Sequence, residues 1–194
     1  MMLTPADGMS ARPATPLVCF RSEWPKVLVL LLALWRGAGH AETLSGKVVH
    51  VADGDTITIL VDKQAHRVRL AGIDAPEKGQ PFGNRARQNL ADMAAGKEAT
   101  LHCHKTDRYQ RKVCTVMVRP SDCPSCAHTL DVGLAQIVGG LAWWYREYAK
   151  EQSPEDRGRY ESGEREAKAR RRELWRDKTP VPPWQWRQEI RNNK

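Results

Sequence analysis

The order of predicted secondary-structure elements indicates an α+β domain: a small barrel of five strands with about three packed helices. Three observations support this prediction. Apolar and polar residues alternate in several short segments, which is the period of half-buried strands. Helical periods interrupt and follow those segments, and Gly, Pro and Asp mark the turns. The 194 residues fit one domain of ~100–200 residues.

The strands are predicted in SGKVVHVADGDTITILV, HRVRLAGI, ATLHC and KVCTVMV. Asp53-Gly54 is a strong turn signal, and Ile57, Ile59 and Val61 alternate with polar residues after it. Five short strands with inserted helices are typical of the OB-type barrel, which binds nucleotides on its face.

The segment NRARQNLADMAAG changes to a helical period. Ala86, Leu90, Met93 and Ala94 fall at i, i+4, i+7 and i+8, and Gly96 supplies a C-cap. We therefore predict an amphipathic helix here. A short apolar helix is predicted in LDVGLAQIVGGLAWWY, ended or bent by its Gly-Gly pair.

A long charged helix is predicted from Ser153 to about Trp175, with Ser153 as its N-cap and Pro154 at its first position. The tail TPVPPWQWRQ is predicted to be non-helical because proline disrupts helices. We expect Trp184 and Trp186 to pin this tail onto the domain.

Residues 1–41 differ from the rest of the chain. A run of nine apolar residues, Val27 to Trp35, follows basic residues, and GAGHA ends at Ala41, as in a secretory signal. The run is shorter than the ~20 apolar residues that span a bilayer. We expect a signal peptide at 1–41, or an anchor if it is not cleaved, then a barrel domain at 42–176 and a Pro/Trp-rich tail at 177–194. The cleaved chain would be a periplasmic or secreted monomer without stable membrane contact.

Four cysteines follow residue 41: Cys103, Cys114, Cys123 and Cys126. An even number in an exported domain favours disulfides, and three pairings are possible. The first two cysteines lie on segments that can pair as a hairpin, and the last two form a C-x-x-C loop. We therefore prefer the pairing Cys103–Cys114 with Cys123–Cys126.

A zinc site in the loop CPSCAH, Cys123 to His128, is the rival interpretation, with His102 or His104 as a further ligand. Zinc sites usually need a second ligand pair at a defined spacing, which this sequence lacks. Disulfides are therefore the favoured interpretation.

The formal net charge of +8 suggests a polyanionic partner, of which nucleic acid is the commonest, although a merely soluble basic protein has the same charge. The 41% hydrophobic and 28% charged residues indicate a globular rather than a disordered chain. The basic character lies mainly after residue 41, because the first segment carries only two more basic than acidic residues.

Carboxylates occur at the ends of predicted strands: Asp55, Asp74 and Glu77. Singly, each is typical of a turn or a solvated surface. Together they would repel one another and resist ionisation unless cations lie among them. Oxygen ligands at this density suit Ca²⁺ or Mg²⁺.

Arginines accompany these acids. Arg69 lies on the third strand, and Arg108 and Arg111 lie in the turn TDRYQR. Guanidinium groups bind phosphate oxygens in a bidentate geometry. Carboxylates, a divalent cation and arginines together can hydrolyse a phosphodiester.

Three motifs in order now resemble one family. DGDT at Asp53–Thr56, RLAGIDAPE at Arg69–Glu77 and TDRYQR at Thr106–Arg111 together resemble the staphylococcal nuclease (thermonuclease) family. The segments FGNRARQNL, GGLAWWY and AKARRRELW follow in the order of that family. The resemblance extends roughly from Leu44 to Trp175, and three motifs are far more specific than one.

The resemblance implies an OB-fold, Ca²⁺-dependent phosphodiesterase that cuts DNA and RNA. By this resemblance, the side chains of Asp55 and Asp74 and the backbone carbonyl of Ala75 would bind the metal. Glu77 would be the general base that accepts a proton from the attacking water.

The same resemblance implies that Arg69 and Arg111 bind the scissile phosphate and stabilise the transition state. Tyr109 would contact a terminal phosphate or sugar, and Arg108 replaces a lysine found in relatives. Gln110 departs from the family, which often has glycine there, and its side chain is expected to twist the turn.

Tyr145 follows the apolar helix and is a candidate for base stacking, with core packing as the alternative. The alternative function is a non-catalytic nucleic-acid-binding module on the same fold. A weaker third possibility is a structural protein of the cell envelope. The intact set of acidic and basic side chains favours the enzyme.

Overall fold

The secondary structure comes from a computed structural model that describes residues 42–193, so the predicted signal segment at 1–41 lies outside the described residues. The strands are β1 (Glu42–Val51), β2 (Thr56–Val61), β3 (Gln64–Leu70), β4 (Ile73–Asp74), β5 (Glu98–Thr106), β6 (Lys112–Val118), β7 (Leu130–Asp131) and β8 (Trp143–Trp144). The helices are α1 (Gly83–Ala94), α2 (Val132–Val138), α3 (Pro154–Ala169) and α4 (Pro183–Asn192), with 3₁₀ turns at Arg146–Glu151 and Glu173–Arg176.

The predicted five-stranded barrel is confirmed. Strands β3, β2, β1, β5 and β6 pair in that order, and the barrel closes where β3 pairs with β6 in parallel. The other barrel pairs are antiparallel. Ile57 and Ile59 face the interior and are fully buried, as their alternation with polar residues predicts. The class is therefore an α+β fold on an OB-type barrel.

Helix α1 also agrees with its predicted period, because Ala86, Leu90 and Ala94 are fully buried in the main core. Helix α2 ends before Gly139 and Gly140, as expected. Gly140 has a φ of 75°, a left-handed conformation that glycine adopts without steric cost.

Helix α3 begins as predicted but is shorter. The hydroxyl of Ser153 accepts a hydrogen bond from the N–H of Asp156 at 3.0 Å, and Pro154 opens the helix. The helix ends at Ala169 rather than near Trp175. Arg171 has a φ of 48°, which is incompatible with continuing the right-handed helix.

The prediction of a non-helical tail is wrong, because residues 183–192 form α4. Pro183 takes the first helical position, where no N–H group is needed and the fixed φ suits a helix. The preceding proline, Pro182, is extended and lies outside the helix. Prolines therefore start this helix instead of preventing it.

The prediction that tryptophan anchors the tail is confirmed for Trp184. Its ring stacks on Tyr145 with centroids 5.6 Å apart and meets Trp143 edge-on at 6.4 Å. The carbonyl of Val181 also accepts a hydrogen bond of 2.6 Å from Gln80, in the loop before α1. Helix α4 is thereby held beside the loop that carries Glu77.

The preferred cysteine pairing is also found. Cys103 and Cys114 are opposite each other on β5 and β6 and are bonded, and Cys123 is bonded to Cys126. The ring of His128 is hydrogen-bonded to Thr100 instead of the cysteine loop. Within residues 42–193, no three His, Cys, Asp or Glu side chains form a ready metal site, so the rival zinc interpretation has no support there.

No helix within residues 42–193 combines the length and apolar character needed to cross a membrane.

Candidate active site

A pocket of about 670 Å³ opens where β3, β4 and the turn between β5 and β6 meet. Six of the residues singled out from the sequence line it: Arg69, Glu77, Arg108, Tyr109, Arg111 and Tyr145. The proposed metal ligands Asp55 and Asp74 are buried in contact with Arg69. Segments up to ninety residues apart thus contribute to one site, and Arg69 and Arg111 line the same pocket as Glu77.

Arg69 bridges the two buried aspartates. Its Nη1 donates to Oδ1 of Asp55 at 2.7 Å, and its Nη2 donates to Oδ1 of Asp74 at 2.9 Å. Asp55 is only 4% exposed and Asp74 is fully buried. Both carboxylates therefore depend on protein groups for the solvation that water would otherwise supply.

The loop before β2 positions Asp55. Its Oδ2 accepts a hydrogen bond from the N–H of Ala75 at 3.0 Å, which ties this loop to the segment after β4. A Cβ on Gly54 would lie 2.6 Å from the Cβ of Ala86 and 2.7 Å from that of Ala75, so a larger residue would separate the loop from both. The fully buried Gln136 holds the same loop by donating to the carbonyl of Gly54 at 2.7 Å.

Glu77 lies in the loop between β4 and α1. Its N–H donates to Oε1 of Gln80 at 3.0 Å, and its carbonyl accepts from the N–H of Gln80 at 2.9 Å. A Cβ on Gly83 would overlap the Glu77 carbonyl, so the start of α1 can approach this loop only with glycine there. These contacts fix the backbone and leave the carboxylate directed into the pocket.

Asp107 organises the turn that carries Arg111, a role that the sequence reasoning missed. Its Oδ1 accepts from the N–H groups of Tyr109 and Arg111 at 2.9 Å each, and its Oδ2 accepts from Nε of Arg111 at 2.8 Å. Nη1 of Arg111 lies 3.4 Å from Oγ1 of Thr56, next to Asp55. Gln110 has a φ of 60°, a conformation suited to glycine, yet Arg111 still faces the pocket.

The predicted substrate-binding residues form the outer part of the pocket. Tyr109 is 61% exposed, and the guanidinium carbons of Arg108 and Arg111 lie 4.9 and 5.4 Å from its ring centroid. One face of Tyr145 is covered by Trp184, and its hydroxyl donates to Glu147 at 2.7 Å. Tyr145 therefore lines the pocket, and the ring that stacks on it in this structure is Trp184 of the same chain.

Arg187 of α4 is the largest addition to the predicted site. Its Nη1 donates to Oε1 of Glu77 at 2.6 Å, and its Nη2 donates to Oδ2 of Asp74 at 2.8 Å. The tail has no pattern that links it to the acidic motifs, and Arg187 is 110 residues from Glu77 in the chain. The sequence therefore held no local signal for this contact.

The carboxylates are electrostatically crowded. Burial raises the pKa of Asp53 to about 6, and the negative charge of Asp55 adds to the shift. Burial opposes ionisation of Asp55, but Arg69 beside it keeps its pKa below the usual value. Burial raises the pKa of Asp74, although hydrogen bonds from Arg187 act in the opposite direction. Such a cluster is stabilised in its ionised form by added positive charge.

The donor chemistry of the cluster fits a hard cation. Asp55, Asp74 and the carbonyl of Ala75 offer only oxygen atoms, which Ca²⁺ and Mg²⁺ prefer. The deeply buried carboxylates of Asp55 and Asp74, with Asp53 close to Asp55, also provide the negative charge that such a cation requires. The residues present therefore fit a divalent metal ion.

The chain matches the family described as "Staphylococcal nuclease homologue" over residues 67–177, more than half of its length. Protein ParB of Escherichia coli is 43% identical to it over 151 residues, which cover 78% of this chain and 83% of that protein. The Micrococcal nuclease of Shigella flexneri is 43% identical over 148 residues, covering 76% and 82%. An uncharacterized endonuclease of Escherichia coli O157:H7 is 32% identical over 176 residues, covering 91% and 97%.

The closed barrel gathers arginine and carboxylate side chains in one pocket, and together with the family match and the nuclease relatives this places the chain among hydrolases of the nuclease class. The chain belongs to the staphylococcal nuclease homologue family. It is therefore a nuclease, and its substrate is nucleic acid.

Proposed function

We propose that the chain is a Ca²⁺-dependent endonuclease that hydrolyses phosphodiester bonds of both DNA and RNA without selecting the sugar. The observation that carries this proposal is the convergence of Arg69, Glu77 and Arg111 on one pocket beside two buried aspartates. Each of these side chains is of the type that its proposed role requires.

Glu77 is the proposed general base. Its carboxylate faces the pocket at the end of a loop that is fixed by Gln80, so it can accept a proton from a water molecule attacking phosphorus. As that water adds, the bond between phosphorus and the departing sugar oxygen breaks, and the sugar oxygen takes up a proton from solvent to leave as an alcohol. The loss of this base should slow the chemical step rather than substrate binding.

Arg69 and Arg111 are the proposed phosphate ligands. Both side chains line the pocket. The guanidinium group of Arg69 is paired with two aspartates, and that of Arg111 is paired with Asp107. Because these ion pairs fix the guanidinium groups in advance, little reorganisation is needed when negative charge develops on the phosphate. One such donor contributes about 3–4 kcal/mol of transition-state stabilisation.

Asp55, Asp74 and the carbonyl of Ala75 are the proposed ligands of Ca²⁺. When bound, the cation would polarise the phosphate oxygens and add positive charge beside the developing negative charge. The oxygen-only donor set and the crowding of the carboxylates support this assignment.

Arg108, Tyr109 and Tyr145 are the proposed substrate-binding residues around the catalytic pair of arginines. The exposed ring of Tyr109 is accessible for a terminal phosphate or sugar, and Arg108 lies against it. Neither contact would read a base edge, which agrees with cleavage that is independent of base sequence.

We also propose that residues 1–41 direct export, that cleavage follows Ala41, and that the remaining chain acts as a monomer in the periplasm or medium, with a barrel domain at 42–176. The apolar run at 27–35 and the cysteine pairs support export. N-terminal sequencing of the exported protein and its elution volume in gel filtration test these points.

The test of the proposed function is incubation of the purified chain with plasmid DNA and with RNA, in Ca²⁺ and in chelator. We expect both polymers to shorten in Ca²⁺ and to remain intact in chelator. A chain that retards DNA on a gel without shortening it would instead be a binding module, and cleavage that persists in chelator would exclude the metal requirement.

A further inference from the structure

Arg187 occupies a position in the pocket that no proposed catalytic role explains. It approaches Asp74 through both terminal nitrogens, Nη2 at 2.8 Å from Oδ2 and Nη1 at 3.3 Å from Oδ1. Its Nη1 also contacts Glu77 at 2.6 Å. One guanidinium group therefore engages a proposed metal ligand and the proposed general base at the same time.

The arrangement divides the carboxylate oxygens between two arginines. Arg69 binds Oδ1 of Asp55 and Oδ1 of Asp74, and Arg187 binds Oδ2 of Asp74 most closely while also contacting its Oδ1. Asp74 is fully buried, so these guanidinium groups supply its compensating charge.

We propose that Arg187 is an internal counter-cation of the active site, which must release Asp74 before a divalent cation can bind there, and so sets the affinity for Ca²⁺. The inference rests on the proposed Ca²⁺ site. Two positive groups that need the same carboxylate oxygen exclude each other by occupancy and by charge repulsion. The affinity measured for Ca²⁺ is therefore reduced by the free energy that holds Arg187 in place.

The structure allows this exchange without unfolding α4. The start of the helix is held by the stack of Trp184 on Tyr145 and by the hydrogen bond between Gln80 and Val181, neither of which involves Arg187. The Arg187 side chain is 36% exposed, in contrast to the buried Asp74 that it binds. Rotation of this long side chain towards solvent can therefore free the carboxylates while the backbone of α4 stays in position.

Isothermal titration of Ca²⁺ into the metal-free chain, without nucleic acid, tests the proposal. Arg187→Gln removes the charge but keeps most of the side-chain length, and we expect it to bind Ca²⁺ at least about tenfold more tightly, since hydrogen bonds between charged groups contribute on that scale. Arg187→Lys keeps a cation and should stay close to the original affinity.

Arg191→Ala is the matched control, because Arg191 is one turn further along α4 and lines the same pocket. It removes an equal charge from a residue that does not contact Asp74, so we expect the affinity for Ca²⁺ to change less than threefold. Equal effects of Arg187→Gln and Arg191→Ala would overturn the proposal, since general electrostatics would then suffice. Weaker Ca²⁺ binding by Arg187→Gln would also overturn it.

Thermal denaturation in chelator and in Ca²⁺ gives an independent readout that depends on neither activity nor calorimetry. Arg187→Gln should be less stable than the original chain in chelator, because Asp74 loses a partner. Its melting temperature should rise more on addition of Ca²⁺ than that of the original chain. An equal rise would contradict the proposed competition between Arg187 and Ca²⁺ for Asp74. If no variant binds Ca²⁺ at all, the proposed metal site itself is wrong, an outcome distinct from binding that is merely unchanged by Arg187.

Discussion

Gln136 offers a direct test of how the fold supports the catalytic loop. Its side chain is fully buried on α2, and its Nε2 donates to the carbonyls of Gly54 at 2.7 Å and Ala86 at 2.8 Å. Its Oε1 accepts from Asn89 at 2.6 Å. The substitution Gln136→Leu conserves approximate volume and removes all three hydrogen bonds.

The expected loss of stability follows from the groups left without partners. The carbonyl of Gly54 loses this hydrogen-bond donor, whereas the carbonyl of Ala86 lies inside α1 and keeps its helical donor, and Asn89 is partly exposed and can bind water. An unsatisfied buried polar group costs about 1–3 kcal/mol, so the free energy of unfolding should fall by about 1–3 kcal/mol. For a chain of this size the melting temperature should fall by roughly 2–12 °C.

Urea denaturation followed by circular dichroism measures this change. Gln88→Leu is the matched control, because Gln88 is exposed on α1 and bonds only to Asp92 among the described side chains. Its effect should stay within about 0.5 kcal/mol. A loss below about 1 kcal/mol for Gln136→Leu would refute the view that these hydrogen bonds hold the loop.

Two further predictions concern stability away from the pocket. Burial opposes ionisation of Glu164, but hydrogen bonds from Arg146 and Lys168 hold its pKa below the ordinary value of 4.5. The ionised Glu164 therefore stabilises the fold above pH 4.5, and this contribution is lost as the pH falls through the folded-state pKa. In urea titrations at a series of pH values, the free energy of unfolding of Glu164→Gln should fall less in acid than that of the original chain. An equal fall in both proteins would contradict the assignment. Replacing both Cys103 and Cys114 by serine removes a crosslink between residues 11 apart and should lower the free energy of unfolding by about 2–3 kcal/mol, measured in urea. A change under 1 kcal/mol would show that the crosslink does not constrain the unfolded chain.

The barrel could be predicted because its signal is local. Ile57 and Ile59 alternate with polar residues over a few positions, and such a period determines which face of a strand is buried. Three members of the pocket could also be named in advance, because two short motifs, RLAGIDAPE and TDRYQR, carry Arg69, Glu77 and Arg111.

The position of α4 could not be predicted in this way. Prolines normally argue against a helix, and the rule that allows proline at the first position applies only once the helix start is known. Arg187 reaches Glu77 across 110 residues through tertiary packing, for which neither periodicity nor composition gives a sign. The early end of α3 at Ala169 likewise depends on the local turn at Arg171, whose left-handed φ no residue pattern indicated.

The rate of DNA cleavage by Glu77→Gln in saturating Ca²⁺ tests most directly whether this pocket performs hydrolysis with Glu77 as its base. Glu161→Gln, an exposed change on α3, serves as the control. We predict that Glu77→Gln lowers the single-turnover rate by about 10²- to 10⁴-fold, while its DNA affinity and circular dichroism spectrum stay close to those of the control. A rate equal to that of the control would contradict the assignment of the base and, with it, the proposed mechanism.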